Sequence, residues 1–424
     1  MARLAVIGAG WAGLAAAVRG CELGHAVTLY EMSHHAGGRA RTLPHEGLPL
    51  DNGQHILIGA YRDTLALMRQ VGVDPDQVLR RLPLTLAYPD GSGLRLPAGR
   101  AVPSFLRGVL AWRSVPLAER LGLLALAAQW RLQGFRCAPG ATVAELARRC
   151  PPTVYRDLLE PLCVAALNTP ASQASGQVLL TVLRDALFGP PGSSDLLLPA
   201  APLDELMPAA ALRWLAAQGA TLRLGQRVQA VAASGTGWQV DGEPHDQLVL
   251  AATAQESARL LAPHAPAWAA QAGAFEYQPI VTVWLQAPGA RWPQPMMALR
   301  ASDEAPAQFG FDLGALGGPA DTYALVVSGA ASWVARGLET TADAVEAQLR
   351  QAFGEHGAWP ATVTRLAVRA EKRATFACVP GLLRPSAAPL AGLRVAGDFV
   401  DGPYPATLEG AVRSGLAAVL SLRA

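Results

Sequence analysis

Apolar positions recur along this chain with two periods, and the switches between them predict its architecture. Leu4 to Ile7 is a short continuous apolar run, as in a strand buried on both faces, and Ala12 to Leu23 follows at helical spacing. Val27 to Tyr30 is a second buried strand. From Pro103 to Ala186 the spacing is helical: Phe105, Leu106, Val109 and Leu110, then Leu117, Leu121, Leu124 and Leu126, then Val143, Leu146 and Ala147. Gly189-Pro190-Pro191-Gly192-Ser193-Ser194 reads as a linker. Beyond it Leu203 to Gln218 reads as a helix, and Ala220 to Leu224, Val228 to Ala232 and Trp238 to Val240 alternate as strands before the buried run Gln247 to Ala252. Phe275 to Gln286 and Thr322 to Ser328 predict a second sheet, with a helix from Ala342 to Phe353 across it. Strands and helices alternating in this way predict an α/β fold.

Composition narrows the partners. The 424 residues leave room for two interleaved domains, and 35 basic against 33 acidic side chains give a net charge of +2, which offers nothing for nucleic acid. Charged residues make up 16% of the chain, against about 25% in typical soluble domains. With a mean hydropathy of +0.22, this points to a greasy interior or a lipid-facing patch. GC-rich codon usage, which would also explain Lys372 as the one lysine, accounts equally well for the bias. Cys21, Cys137, Cys150, Cys163 and Cys378 lack CxxC or CxxH spacing, so neither a metal site nor a disulfide framework is expected. The chain opens on a core strand, so no cleavable signal peptide is expected, and no apolar run reaches the roughly 20 residues that span a bilayer. Cytoplasmic residence is the expectation. Phe105, Leu106, Leu110 and Trp112, interleaved with Arg107 and Arg113, leave two readings open: a helix lying peripherally on the inner face of the cytoplasmic membrane, or a packed helix of a substrate domain.

The candidate chemistry starts in the first turn. Gly8, Gly10 and Gly13 follow the first strand at the spacing that allows a tight turn, close approach of backbone to a pyrophosphate, and close packing of the next helix. Trp11 and Ala12 open that helix, whose free N–H groups would face the phosphates. Glu31 closes the second strand, where a carboxylate can accept both hydroxyls of a ribose and would repel a 2'-phosphate. Gly37-Gly38-Arg39-Ala40-Arg41 adds a second glycine turn with two guanidinium groups able to bond phosphate, an element NAD domains do not need. Near the other end a strand runs into Gly397 and Asp398, a carboxylate placed to hold a polyol hydroxyl. Thr407 and Leu408 then open a last helix whose N–H groups can face the carbonyl edge of a flavin.

In these pieces the chain resembles the superfamily of flavin oxidases and desaturases that includes amine oxidases and phytoene desaturases. Within it, Leu50-Asp51-Asn52-Gly53-Gln54-His55 with Tyr61, Pro161 to Pro170 with Asn168 and Thr169, and Glu371-Lys372-Arg373-Ala374-Thr375-Phe376 resemble the squalene-associated FAD-dependent desaturases, the hydroxysqualene dehydroxylases of hopanoid synthesis. The resemblance implies a Rossmann-like FAD-binding domain of glutathione-reductase type, amine-oxidase-like, over residues 1–80, 196–265 and 385–424. It would be interleaved with a mixed α+β substrate-binding domain over 81–195 and 266–384. It implies FAD held by Gly8, Gly10, Trp11, Ala12, Gly13, Glu31, Gly38, Arg39, Arg41, Gly397, Asp398, Thr407 and Leu408, with Val228 giving a backbone contact to adenine and Gly53, Gln54 and His55 passing the flavin.

The implied reaction is transfer of a hydride from reduced FAD to an allylic carbon of hydroxysqualene as the hydroxyl leaves, giving squalene and water. The implied partners are a hydrophobic isoprenoid and, as an open reading, the membrane or upstream enzymes of the squalene pathway. Such a reaction calls for an acid, for which His55 is the first choice because an imidazole titrates near neutrality; Tyr404 comes next, then Asp51 and Asp312. It also calls for aromatic faces toward a transient cation, for which Trp112, Trp130, Phe135, Trp284, Trp292, Phe309 and Phe311 are candidates, with ordinary core packing as the alternative for each. Lys372 and Cys378 do not match the lysine or the flavin-attaching cysteine of amine oxidases. An oxidative carotenoid or phytoene-type desaturase, an amine oxidase, and a non-catalytic flavin-bearing partner of a terpene synthase assembly remain as other functions.

Overall fold

A computed structural model describes residues 1–235, 237–354, 359–360 and 362–422. Five parallel strands form its first sheet, in the order Thr221–Leu224, Ala26–Glu31, Arg3–Ile7, Gln247–Leu250 and Leu393–Val395. Its central strands are runs of aliphatic residues because both faces are covered. On one face the helix Trp11–Glu22 packs against the closing helix Leu408–Ser421. That contact is tight: a Cβ on Gly415 would lie 2.1 Å from the carbonyl oxygen of Ala12.

The second sheet is antiparallel, in the order Met296–Ala298, Phe309–Asp312, Thr322–Val327, Tyr277–Gln286 and Thr364–Phe376. Side chains alternate across it. Val281, Val283 and Leu285 face the helix Leu338–Gly354, whose Ala342, Val345, Leu349 and Phe353 cover them. Trp284, Phe309 and Phe311 face a helical layer that includes Ala101–Ala111, Leu117–Leu132, Glu160–Leu167 and Gly176–Leu187. Among the described residues no helix is long and apolar enough to cross a membrane.

Several elements depart from the sequence reading. The helix expected over Leu203 to Gln218 is two, Leu203–Leu206 and Pro208–Ala217, broken at Met207 (φ −160°), because Pro208 has no N–H to donate and disfavours helical backbone before it. Val228 precedes its strand, which is Val231–Ser234. The expected extended segment from Asp51 to Ile58 is strand only at its ends, Leu48–Asp51 and Leu57–Ile58, with a turn at Gly53 (φ +84°). The Gly189 to Ser194 linker is packed: Ser193 and Ser194 are buried, and the Ser193 carbonyl accepts the N–H of Ala60 at 3.0 Å.

Thr364–Phe376, the longest strand, was not anticipated, because Arg365, Arg369, Glu371, Lys372 and Arg373 break its apolar pattern. Arg365 is satisfied across the sheet by Glu346 (2.6 Å), Asp343 (2.5 Å) and Glu339 (2.7 Å) on the covering helix.

Candidate functional site

The two glycine turns face each other at the carboxyl ends of the parallel strands. Gly37 donates to the carbonyl of Ala9 at 2.8 Å, and the indole N–H of Trp11 donates to the carbonyl of Ala40 at 3.2 Å, so the start of the first helix is stitched to the second turn. The glycines divide by role. A Cβ on Gly8 would lie 2.5 Å from the Ala251 oxygen, and one on Gly13 would lie 1.8 Å from the Gly8 oxygen, so both positions require glycine for packing. A Cβ on Gly10 would meet only the Cα of Gly38, at 3.9 Å. The space over the middle glycine is therefore open, and it lies at the start of a helix with no side-chain cap and no acid in its first turn. Uncommitted N–H groups at a helix start are an anion site. Beside it the Nε of Arg41 is buried without a partner. A cradle of this shape, with the buried Nε of Arg41 unpartnered on the second turn, fits a dinucleotide pyrophosphate.

Glu31 accepts the Ala9 N–H at 2.7 Å on Oε2 and the Ser33 N–H at 2.8 Å on Oε1, which fixes its carboxylate against the turn with lone pairs to spare for a ribose diol. Val228 is buried, and its carbonyl accepts Arg259 Nη2 at 2.7 Å. At the closing helix Thr407 is the N-cap, its Oγ1 accepting the Gly410 N–H at 2.9 Å, and Leu408 is the first helical residue. The Gly397 N–H donates to Ser414 Oγ at 2.8 Å.

Arg39 has a different setting from Arg41. Its guanidinium donates to Asp398 Oδ1 at 2.6 Å and to the carbonyl of Ala374 at 2.9 Å, so the two expected cofactor residues Arg39 and Asp398 are partners of each other. The amide of Asn52 donates to the carbonyl of Arg39 at 2.9 Å and to Glu371 at 3.0 Å, which sets Gly53, Gln54 and His55 beside the long strand.

The expected acids are placed differently from the sequence reading. Burial lowers the His55 imidazole to about 4; a hydrogen bond to the Gly53 backbone opposes the shift and the Arg39 cation adds to it. His55 is therefore neutral at neutral pH, not a group titrating there, and its Nδ1 is buried with no partner. Tyr404 donates to Asp185 at 2.8 Å under the Arg413 guanidinium, and burial first, then Asp185, keeps the phenol protonated. No hydrogen bond joins Tyr404 to His55 among the described residues. Asp51 holds Thr42 Oγ1 at 2.8 Å and the Leu203 N–H at 3.0 Å, and Asp312 holds the Ala315 N–H at 2.9 Å, both structural tasks. Lys372 is exposed, and the buried Cys378 thiol is pushed up to about 12, chiefly by burial.

A separate apolar cavity lies in the helical layer. Its walls carry no polar side chain: Phe105, Leu123, Trp130, Phe135, Leu158, Leu159, Leu162, Leu183 and Phe188 are among them. Leu158 and Leu159 lie in a π-helical turn, Tyr155–Leu159, which widens the helix where it forms the wall. Of the aromatic candidates, Trp130 and Phe135 line this space. Trp112, Trp284, Phe309 and Phe311 are core residues, and Trp292 stacks on Phe353 at 5.0 Å. Phe105 and Phe188 were missed as lining residues, since nothing local distinguishes a wall from a core.

Asn168, which the sequence presents only as part of the Pro161 to Pro170 motif, ends the helix Glu160–Leu167 in a left-handed conformation, and its amide donates to Thr375 Oγ1 at 3.0 Å and to the Gln278 carbonyl at 3.1 Å while accepting the Gly329 N–H at 2.6 Å.

The profile of a family described as flavin containing amine oxidoreductase matches residues 11–420. Hydroxysqualene dehydroxylase of Rhodopseudomonas palustris is 29% identical over 437 residues, covering 97% of this chain and 96% of that protein. Its counterpart in Sinorhizobium fredii is 26% identical over 456 residues, covering 97% and 95%. An oxidoreductase from Methanosarcina mazei superposes with a TM-score of 0.74 at 17% identity, over 99% of this chain and 100% of that one.

Proposed function

The chain belongs to the flavin-containing amine oxidoreductase family and is an FAD-dependent oxidoreductase, and from that premise we propose that it converts hydroxysqualene to squalene by reductive dehydroxylation. The observation that carries this reading is the similarity to hydroxysqualene dehydroxylases along 97% of the chain. The wholly apolar lining of the cavity supports it, because a polyisoprene offers no polar group to pair.

In the net reaction a C–O bond breaks, a C–H bond forms, and two reducing equivalents and a proton source convert an allylic alcohol to a hydrocarbon and water. FAD, when bound, supplies the two electrons. Gly8, Gly10, Gly13 and the free N–H groups of Trp11 and Ala12 would hold its pyrophosphate, with Gly38 and Arg41 opposite. Glu31 would take the ribose and the Val228 backbone the adenine. Asp398, ordered by Arg39, would meet the polyol chain after Gly397, and Thr407 with Leu408 would present the helix start to the ring. Gly53, Gln54 and His55 would pass the ring.

His55 enters as a neutral hydrogen-bonding group, its free nitrogen available to the leaving oxygen, and Tyr404 as a phenol held protonated. The cavity walls exclude water that would capture a cationic carbon, and the faces of Trp130 and Phe135 tolerate positive charge. Anaerobic mixing of the photoreduced holoprotein with hydroxysqualene tests the reading. Flavin reoxidation matched by squalene supports it. Flavin that stays reduced, with oxidised protein bleached by phytoene, would replace it with an oxidative desaturase.

A further inference from the structure

The helix Leu117–Leu132 is apolar on two opposite faces. Inward, Leu123, Ala127 and Trp130 line the cavity. Outward, Leu117, Leu121, Ala125, Ala128 and Leu132 recur at spacings of three or four residues, and every one is exposed to solvent. Leu132 is 88% exposed. At 1.5 Å per residue the stripe is about 22 Å long. Leu106 and Leu110 of the preceding helix, Ala101–Ala111, are exposed too, and the guanidinium of Arg120 donates to the carbonyl of Leu110, which joins the two surfaces. The expectation of a lipid-lying helix named Phe105 and Trp112 as well; both are buried, and the exposed apolar surface lies mainly on the next helix.

Charge around this face is one-sided. Residues 100–136 carry six arginines and one acid, a net +5 in a chain whose total is +2. The acid, Glu119, turns inward to the N–H and hydroxyl of Thr153 at 2.9 and 3.1 Å. Arg100, Arg107, Arg113, Arg131 and Arg136 are exposed, and none has a carboxylate partner among the described residues. A single helix with an exposed apolar stripe and flanking cations is built for a bilayer surface carrying negative headgroups.

We propose that this face docks on an anionic lipid bilayer with the helix lying in the interface plane, so that an apolar molecule passes from lipid around the helix to the cavity behind it. The passage rests on the proposed substrate class. The docking does not, and its test uses no substrate.

Flotation of the full-length holoprotein with phosphatidylcholine vesicles, with and without phosphatidylglycerol, reads it directly. Binding to the anionic vesicles, weaker in high salt, is expected. Leu117→Glu with Leu121→Glu should weaken binding about tenfold or more, with flavin absorbance and thermal midpoint unchanged because both side chains are exposed. Arg107→Glu with Arg113→Glu should lose the preference for anionic lipid. Wild-type protein that stays in the soluble fraction, or a leucine variant that floats like wild type, overturns the proposal. So does a wild-type dimer that the leucine variant converts to monomer without vesicle binding, which would give the face to a second copy of the chain.

Discussion

Replacing Asn168 with alanine should uncouple the helical layer from the second sheet at a large and calculable cost. The side chain is 4% exposed and makes three hydrogen bonds, to Thr375, Gln278 and Gly329. Truncation strands the half-buried Gly329 N–H and Gln278 carbonyl, at about 1–3 kcal/mol each, whereas the Thr375 hydroxyl can rotate to another acceptor. Asn168 also sits at φ +45°, where asparagine is tolerated and alanine is strained by about 1 kcal/mol. The expected loss is therefore about 3–7 kcal/mol for Asn168→Ala. Asn168→Gly relieves only the backbone part and should recover about 1 kcal/mol of it. Guanidinium denaturation of the holoprotein, followed by tryptophan fluorescence and by flavin release, measures both. A loss under about 1 kcal/mol for the alanine variant, or a glycine variant as stable as wild type, would refute the reasoning that this amide joins the two layers.

Gly10→Val should leave the apoprotein's thermal midpoint unchanged, since its Cβ clears the protein, yet weaken FAD binding about a hundredfold in a fluorescence titration by filling the pyrophosphate space. Gly415→Val should cost about 3 kcal/mol or more in stability, because its Cβ would strike the Ala12 carbonyl at 2.1 Å and push apart the two helices behind the FAD sheet. The pH dependence of stability turns on two groups of opposite sign. His55, lowered from 6.5 to about 4, contributes about 3 kcal/mol above pH 6.5 that is lost as pH falls toward 4, because the unfolded chain takes the proton first. Asp51, raised by burial from 3.8 to about 6, does the reverse: the folded state takes the proton first, so stability rises by about 3 kcal/mol as pH falls from 6 to 4. Thermal midpoints in that window should thus rise on acidification in His55→Gln and fall in Asp51→Asn, relative to wild type, and parallel profiles for all three would exclude both assignments.

The dinucleotide unit was legible because its requirements are local: a strand, three spaced glycines, a helix and an acid, all within the first 31 residues. The helical layer was legible as helices but not in phase. In Leu117–Leu132 two opposite faces are apolar, so the periodicity could not say that Leu123, Leu126 and Trp130 point inward while Leu117 and Leu121 meet solvent. The long strand was illegible because its charges are satisfied by a helix that is distant in sequence, as Arg365 is by Glu339, Asp343 and Glu346. The protonation of His55 was illegible for a related reason. Its residue type suggests titration near neutrality, and only tertiary burial removes it.

What the sequence presented as three separate motifs the fold brings onto one strand. Asn52 bonds Glu371, Arg39 bonds Ala374, and Asn168 bonds Thr375. Arg39 and Asn52 belong to the cofactor side, through Asp398 and the segment bearing His55, whereas Asn168 ends the helix whose Leu162 lines the cavity. The three attachments fall within residues 371–375, about 13 Å of strand at 3.3 Å per residue. The register of that strand with Tyr277–Gln286 shifts between Gln278 and Ile280, opposite the same stretch. This short, irregular piece of backbone is thus one of the ties between the parallel-sheet domain and the helical layer, beside the bond of Tyr404 to Asp185 and the shared apolar core. Arg39, Asn52 and Asn168 therefore have a structural task within their motifs, each anchoring its segment to the same strand.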